Sequence, residues 1–126
     1  MPKNIVVVIR EDPQKSHRAA EAVRIALGLS TGPNPVKIIL LDKARVLASE
    51  EAYDLPDGEM LEKYLPVIQN LQIPILLNED SRENVTLDDE FSIQTLSDAE
   101  LTDIIGESDR VLAFLNDHEK NSFYHK

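Results

Sequence analysis

Several carboxylates of this chain follow directly on apolar runs. Glu11 and Asp12 come after NIVVVIR, Asp42 after VKIILL, Glu79 and Asp80 after IPILL and Asn78, and Asp117 after RVLAFL and Asn116. If those runs are parallel strands, the acids collect at the strands' carboxyl ends, where open α/β sheets bind ligands. Two or three carboxylates converging there could hold Mg²⁺, which takes oxygen ligands. Acids in such loops also serve the simpler purpose of capping helices and complementing their dipoles. Glu11, Asp12 and Asp42 are accordingly the candidate ligand pocket. A phosphorelay receiver domain would further need an aspartate at the third run and a lysine after the last. The chain has Asn78, Glu79 and Asp80 at the first place and no lysine in residues 110–117.

Other chemistries find less support. Gly28, Gly32, Gly58 and Gly106 form neither a dinucleotide-binding G-x-G-x-x-G nor a P-loop. Ser16, with His17 and Arg18 behind it, could present a helix amino end to an anion, although a plain helix cap explains Ser16 more simply. His118 and His125 lie in a polar tail without metal-ligand spacing, and no G-x-S-x-G elbow supports a serine nucleophile. The most decisive feature is an absence: none of the 126 residues is cysteine. That excludes disulfides, thiolate metal sites, a catalytic thiol and a persulfide carried on the chain.

The formal charge of -10 is unevenly spread. Residues 1–63 are nearly balanced, whereas residues 78–109 hold eleven acids against the single base Arg82. Such a face repels phosphate backbones, so nucleic acid is not an expected partner, and a basic protein surface fits better. A soluble, charged surface accounts for the same acids without any partner. The aromatic residues Tyr53, Tyr64, Phe91, Phe114, Phe123 and Tyr124 form no stripe beside basic groups, so single-stranded nucleic acid has no support either. No apolar run reaches the roughly 18 residues of a membrane span, and the amino end lacks a signal-peptide plan. The expectation is a soluble, cytoplasmic protein of one domain over residues 1–126.

The elements that must position these groups alternate. Residues 4–10 (NIVVVIR) and 36–41 (VKIILL) predict strands buried on both faces. Between them lies a helix, capped by Ser16 and ending near Leu29, with Ala19, Val23, Ala26 and Leu27 at helical spacing. Residues 43–49 predict a short helical segment, followed by a polar stretch with Pro56, Asp57 and Gly58. Leu61, Tyr64, Leu65, Ile68 and Leu71 then mark a helix that Pro66 should kink or divide. Residues 73–77 (IPILL) predict the third strand, and residues 78–90 a loop or weak helix. Residues 91–96 (FSIQTL) alternate as a strand with one face covered. Ser97 and Glu100 then make a capping box for a helix over residues 98–107, with Leu101, Ile104 and Ile105 buried. Residues 110–115 (RVLAFL) predict a last buried strand, and residues 116–126 a polar tail. Strands alternating with helices predict a three-layer α/β/α domain with a mainly parallel sheet of about five strands and flavodoxin-like topology.

Several of these phrases, IVVVIREDP, RAAEAVRIALGL, KIILLDKARVLA and LTDIIGESDRVLAF, together resemble the DsrE/DsrF-like family of sulfur-relay proteins, which includes the DsrE, DsrF and DsrH and the TusB, TusC and TusD subunits. The resemblance runs from Lys3 to about Leu115. It implies a compact α/β/α subunit that assembles into dimers, trimers or hexamers and passes persulfide sulfur between proteins. Sulfur-carrying members have a cysteine in the loop after the third strand. Here that loop reads Asn78, Glu79, Asp80, Ser81, Arg82, Glu83. Serine cannot replace the thiol, because a hydroxyl forms no persulfide. The resemblance therefore implies a non-catalytic subunit, a structural or regulatory partner in sulfur trafficking, without cofactor and leaning away from an enzyme. Residues 78–83 are then the candidate partner-docking segment. The alternative is a small α/β enzyme or ligand-binding domain that uses the strand-end carboxylates, with Mg²⁺.

Overall fold

The structure is a computed structural model that describes residues 3–79 and 85–115. Asp80, Ser81, Arg82, Glu83, Asn116, Asp117 and the polar tail with its two histidines lie outside the described residues.

β1 (Ile5–Ile9) is buried along its whole length, with Val7, Val8 and Ile9 fully inaccessible. β-Branched side chains suit a pleated position packed on both sides. β2 (Val36–Leu40) pairs with it in parallel, Ile9 facing Leu40 across the ladder. β3 (Ile75–Asn78) adds to β2, β4 (Ile93–Leu96) to β3, and β5 (Arg110–Phe114) to the free side of β1, all in parallel. The order is thus β4-β3-β2-β1-β5. The chain winds outward from β1 in one direction and then returns to its other side.

Alternation divides the core between two faces. Ile5, Val7, Ile9, Ile38, Leu40, Ile75 and Leu77 point to the side covered by α1 (Arg18–Ser30) and α2 (Gly58–Leu71). Val6, Val8, Ile39 and Leu76 point to the other, where Leu101 of α3 (Asp98–Glu107) packs. The expected three-layer architecture with a mainly parallel sheet is the one observed.

Local departures have physical reasons. Ser16 does not cap α1: the helix begins at Arg18 with His17 at the cap position. Asp12 holds the preceding turn closed, its carbonyl accepting the Lys15 and Ser16 amides and its Oδ1 the Gln14 amide at 2.9 Å. Ser16 Oγ then accepts only from the Arg18 amide at 3.1 Å, within the turn. Pro66 does not divide α2, which is continuous. The amide it lacks would have bonded Glu62, which lies on the exposed face, while Leu61, Leu65 and Ile68 keep one buried stripe through both halves. The segment expected over residues 43–49 is a 3-10 helix, Asp42–Ala48, and a second short one, Ala52–Asp54, occupies the stretch read as merely polar. β5 is not a buried strand. It forms a sheet edge, so Arg110 is exposed and Val111, Leu112 and Phe114 are only half-buried. Ile104 and Ile105 are likewise half-buried rather than enclosed.

Candidate functional site

The carboxyl edge of the sheet carries the polar groups that the sequence placed there, and the ends of β1, β2 and β3 are adjacent. Backbone bonds set the frame: the Leu41 amide donates to Ile9 O at 2.9 Å, the Arg10 amide to Phe114 O at 2.7 Å, and the Glu79 amide to Leu96 O at 2.8 Å. With Leu40 of β2 paired to Leu77 of β3, these bonds hold the five strand ends side by side.

Three acids follow β1 and β2, and each has a different fate. Asp42 leaves β2 with φ 52°, the left-handed conformation that non-glycine residues adopt at a cost. Its exposed carboxylate lies 3.1 Å from Arg10 Nε, joining the ends of β2 and β1. Asp12, half-buried, is engaged in its own turn. Glu11 is only 4% exposed, and its Oε1 is buried with no hydrogen-bond partner. Glu11, Asp12 and Asp42, the candidate ligand pocket, thus differ in burial and in partners. Among the described residues, no group of three or more His, Cys, Asp or Glu could hold a metal ion.

The candidate docking segment is described at its first two residues. Glu79 is exposed, and half-buried Asn78 closes β3 opposite Leu96. The Asn78 carbonyl accepts from Arg45 Nη1 at 3.0 Å. Arg45 stands on the 3-10 helix after β2, and its Nε is buried without a partner. Sequence reasoning singled out neither Arg10 nor Arg45. The available signal was an arginine placed beside each of the first two acidic strand ends.

The amino end of α1 is not offered to an anion by its histidine. His17 Nδ1 lies 2.9 Å from both carboxylate oxygens of Asp57, at the start of α2. Beyond Asp57 runs an open groove of about 510 Å³ lined by Tyr53, Met60, Lys63 and Tyr64 among others. Burial, with the carboxylates of Asp88 and Glu62 nearby, pushes the Tyr53 phenol above its ordinary range. Among the described residues, no helix is long and apolar enough to cross a membrane.

These features define a doubly wound, parallel α/β domain whose polar groups gather at the carboxyl edge. The fold is similar to the crystal structure of the ychN protein from E. coli, with a TM-score of 0.68 and 18% sequence identity over 90% of this chain and 100% of that one. At that identity the likeness concerns the fold. No protein-family model matches the chain, and no curated protein sequence matches it.

Proposed function

We propose that this chain is a cysteine-free subunit of the DsrE/DsrF type, acting as a structural or regulatory partner in intracellular sulfur trafficking. The observation that carries the reading is the end of β3. There the chain has Asn78 and Glu79 where the resemblance implies the thiol of sulfur-carrying members, and it has no cysteine anywhere. A persulfide needs a thiolate, so this subunit can influence transfer only through contacts. The likeness in fold to the ychN protein and the resemblance of the core segments agree with it. The strand end is firmly built, with Arg45 on the Asn78 carbonyl and the Glu79 amide on Leu96, as suits a surface that docks rather than reacts.

The test mixes the chain with a cysteine-bearing DsrE-type subunit from the same source and follows complex formation by sedimentation, together with the rate of persulfide transfer through that subunit. A heteromeric complex with an altered transfer rate is expected. No complex at micromolar concentrations would end the proposal. Within the complex, neutralising Glu79, Asp80 and Glu83 together should slow association several-fold at low salt and flatten its salt dependence, since exposed charges steer encounter and are screened beyond about 8–10 Å. An unchanged rate and salt slope would reduce residues 78–83 to a solvated surface.

A second reading, a ligand-binding domain using the strand-end carboxylates, is favoured by one observation, the buried and unpartnered oxygen of Glu11. Its Mg²⁺ form is less favoured, because Asp12 and Asp42 already have partners.

A further inference from the structure

Glu11 is the least expected side chain in the described core. Beside it, Ser49 is the one other buried polar residue among those described, and Ser49 is satisfied: its Oγ donates to the Val46 carbonyl at 2.7 Å and accepts from the Glu51 amide at 3.1 Å. Glu11 has no such arrangement for Oε1. A carboxylate oxygen taken out of water without a donor is costly, and protein interiors leave few such groups without a reason. An apolar residue at this position would remove the cost, so the carboxylate is kept against the interest of stability.

Its place in the fold supplies the reason. Glu11 lies just past the carboxyl end of β1, the strand on whose two sides the chain runs in opposite directions, to β2 and to β5. That reversal is where open parallel sheets receive their ligands. The neighbouring acids narrow the chemistry. A divalent cation would recruit several oxygens, but the Asp42 carboxylate is held by Arg10 and the Asp12 Oδ1 by the Gln14 amide. Of these three acids only Glu11 has a buried oxygen without a partner, and a single buried acceptor suits one positively charged N–H donor.

We propose that Glu11 anchors a ligand site at the carboxyl end of β1 that takes the primary ammonium group of a small organic molecule. The site is independent of the partner-subunit reading and stands whether or not that reading holds. Residues 12–17, next in the chain, form turns rather than helix or strand and expose Gln14, Lys15 and His17.

The experiment is an amide NMR titration of the full chain with ethylammonium chloride, with tetramethylammonium as a cation lacking N–H donors and Mg²⁺ as the divalent control. Saturable shifts at Glu11, Asp12 and Leu41 are expected with ethylammonium, and affinity should fall about tenfold or more in Glu11→Gln, the loss of one charge-assisted hydrogen bond. Tetramethylammonium and Mg²⁺ should produce no saturable shifts there. Urea unfolding supplies the second measurement: Glu11→Gln should be at least as stable as the parent. Shifts that do not saturate, shifts unchanged in Glu11→Gln, or tighter binding of either control would overturn the proposal. So would a Glu11→Gln variant that is destabilised or unfolded, since the carboxylate would then have a structural task.

Discussion

Arg45 and Asn78, 33 residues apart in the chain, meet at 3.0 Å, the guanidinium Nη1 donating to the main-chain carbonyl that ends β3. The contact ties the 3-10 helix after β2 to the strand end from which the candidate docking segment departs. Replacing Arg45 by Met keeps much of the side chain's bulk and removes the donor, and should cost about 1.5–3 kcal/mol, the usual range for a hydrogen bond involving a charged group. Urea unfolding should register this as a lower midpoint at unchanged slope. A midpoint equal to the parent's would mean that water replaces the guanidinium without loss.

Two glycines should respond to alanine in opposite directions. A Cβ on Gly58 would collide with the Tyr53 carbonyl oxygen, so the turn before α2 must move, at a cost of about 1–3 kcal/mol or more. A Cβ on Gly28, exposed within α1, meets nothing within 4 Å. Gly28→Ala should therefore raise stability by about 0.5–1 kcal/mol through helix propensity. Thermal unfolding of the two variants side by side checks the difference, and equal shifts would contradict it.

The capping box of α3 carries a pH signature. Ser97 Oγ accepts the Glu100 amide at 3.2 Å and Glu100 Oε1 accepts the Ser97 amide at 3.0 Å. The bond from the Ser97 amide, then that from its side chain, holds the Glu100 carboxyl below its ordinary range. A lowered folded value means that the stabilisation is complete above the ordinary carboxylate range and is lost as pH falls through the lowered value. Glu100→Gln should accordingly make unfolding less sensitive to acid. Ser97→Ala should cost about 1 kcal/mol at neutral pH. If the Glu100→Gln and parent midpoints fall in parallel on acidification, the carboxylate is not the group that titrates.

Self-association is expected from the outer side of α2, which leaves Val67 and Leu71, one helical turn apart, 39% and 54% exposed. Closed assembly of identical subunits would cover such a stripe. Sedimentation at micromolar concentration should reveal a dimer, trimer or hexamer, and Leu71→Arg should shift the distribution toward the monomer. A parent protein sedimenting only as a 14.2 kDa species would refute the expectation.

What the sequence alone determined is what is written locally. The β-branched runs of β1 and β2, the alternation of strand with helix, the Ser97 and Glu100 box and the absence of a thiol all depend on near neighbours or on composition, and each was legible. The start of α1 lies later than Ser16 suggests because the Asp12 carbonyl takes the Lys15 and Ser16 amides and so holds Ser16 inside a turn. Only the tertiary structure decided that β5 returns beside β1 and so forms an edge, since an apolar run reads alike in a central strand and in a half-covered one. It also decided the pairing of His17 with Asp57, 40 residues away, and of Arg45 with Asn78. The sharpest case is Glu11 against Asp12, adjacent acids that the sequence could not tell apart. Glu11 is enclosed and Asp12 is left half-open to close its own turn. Burial of a side chain depends on which layers pack over it, and those layers are built from residues far along the chain.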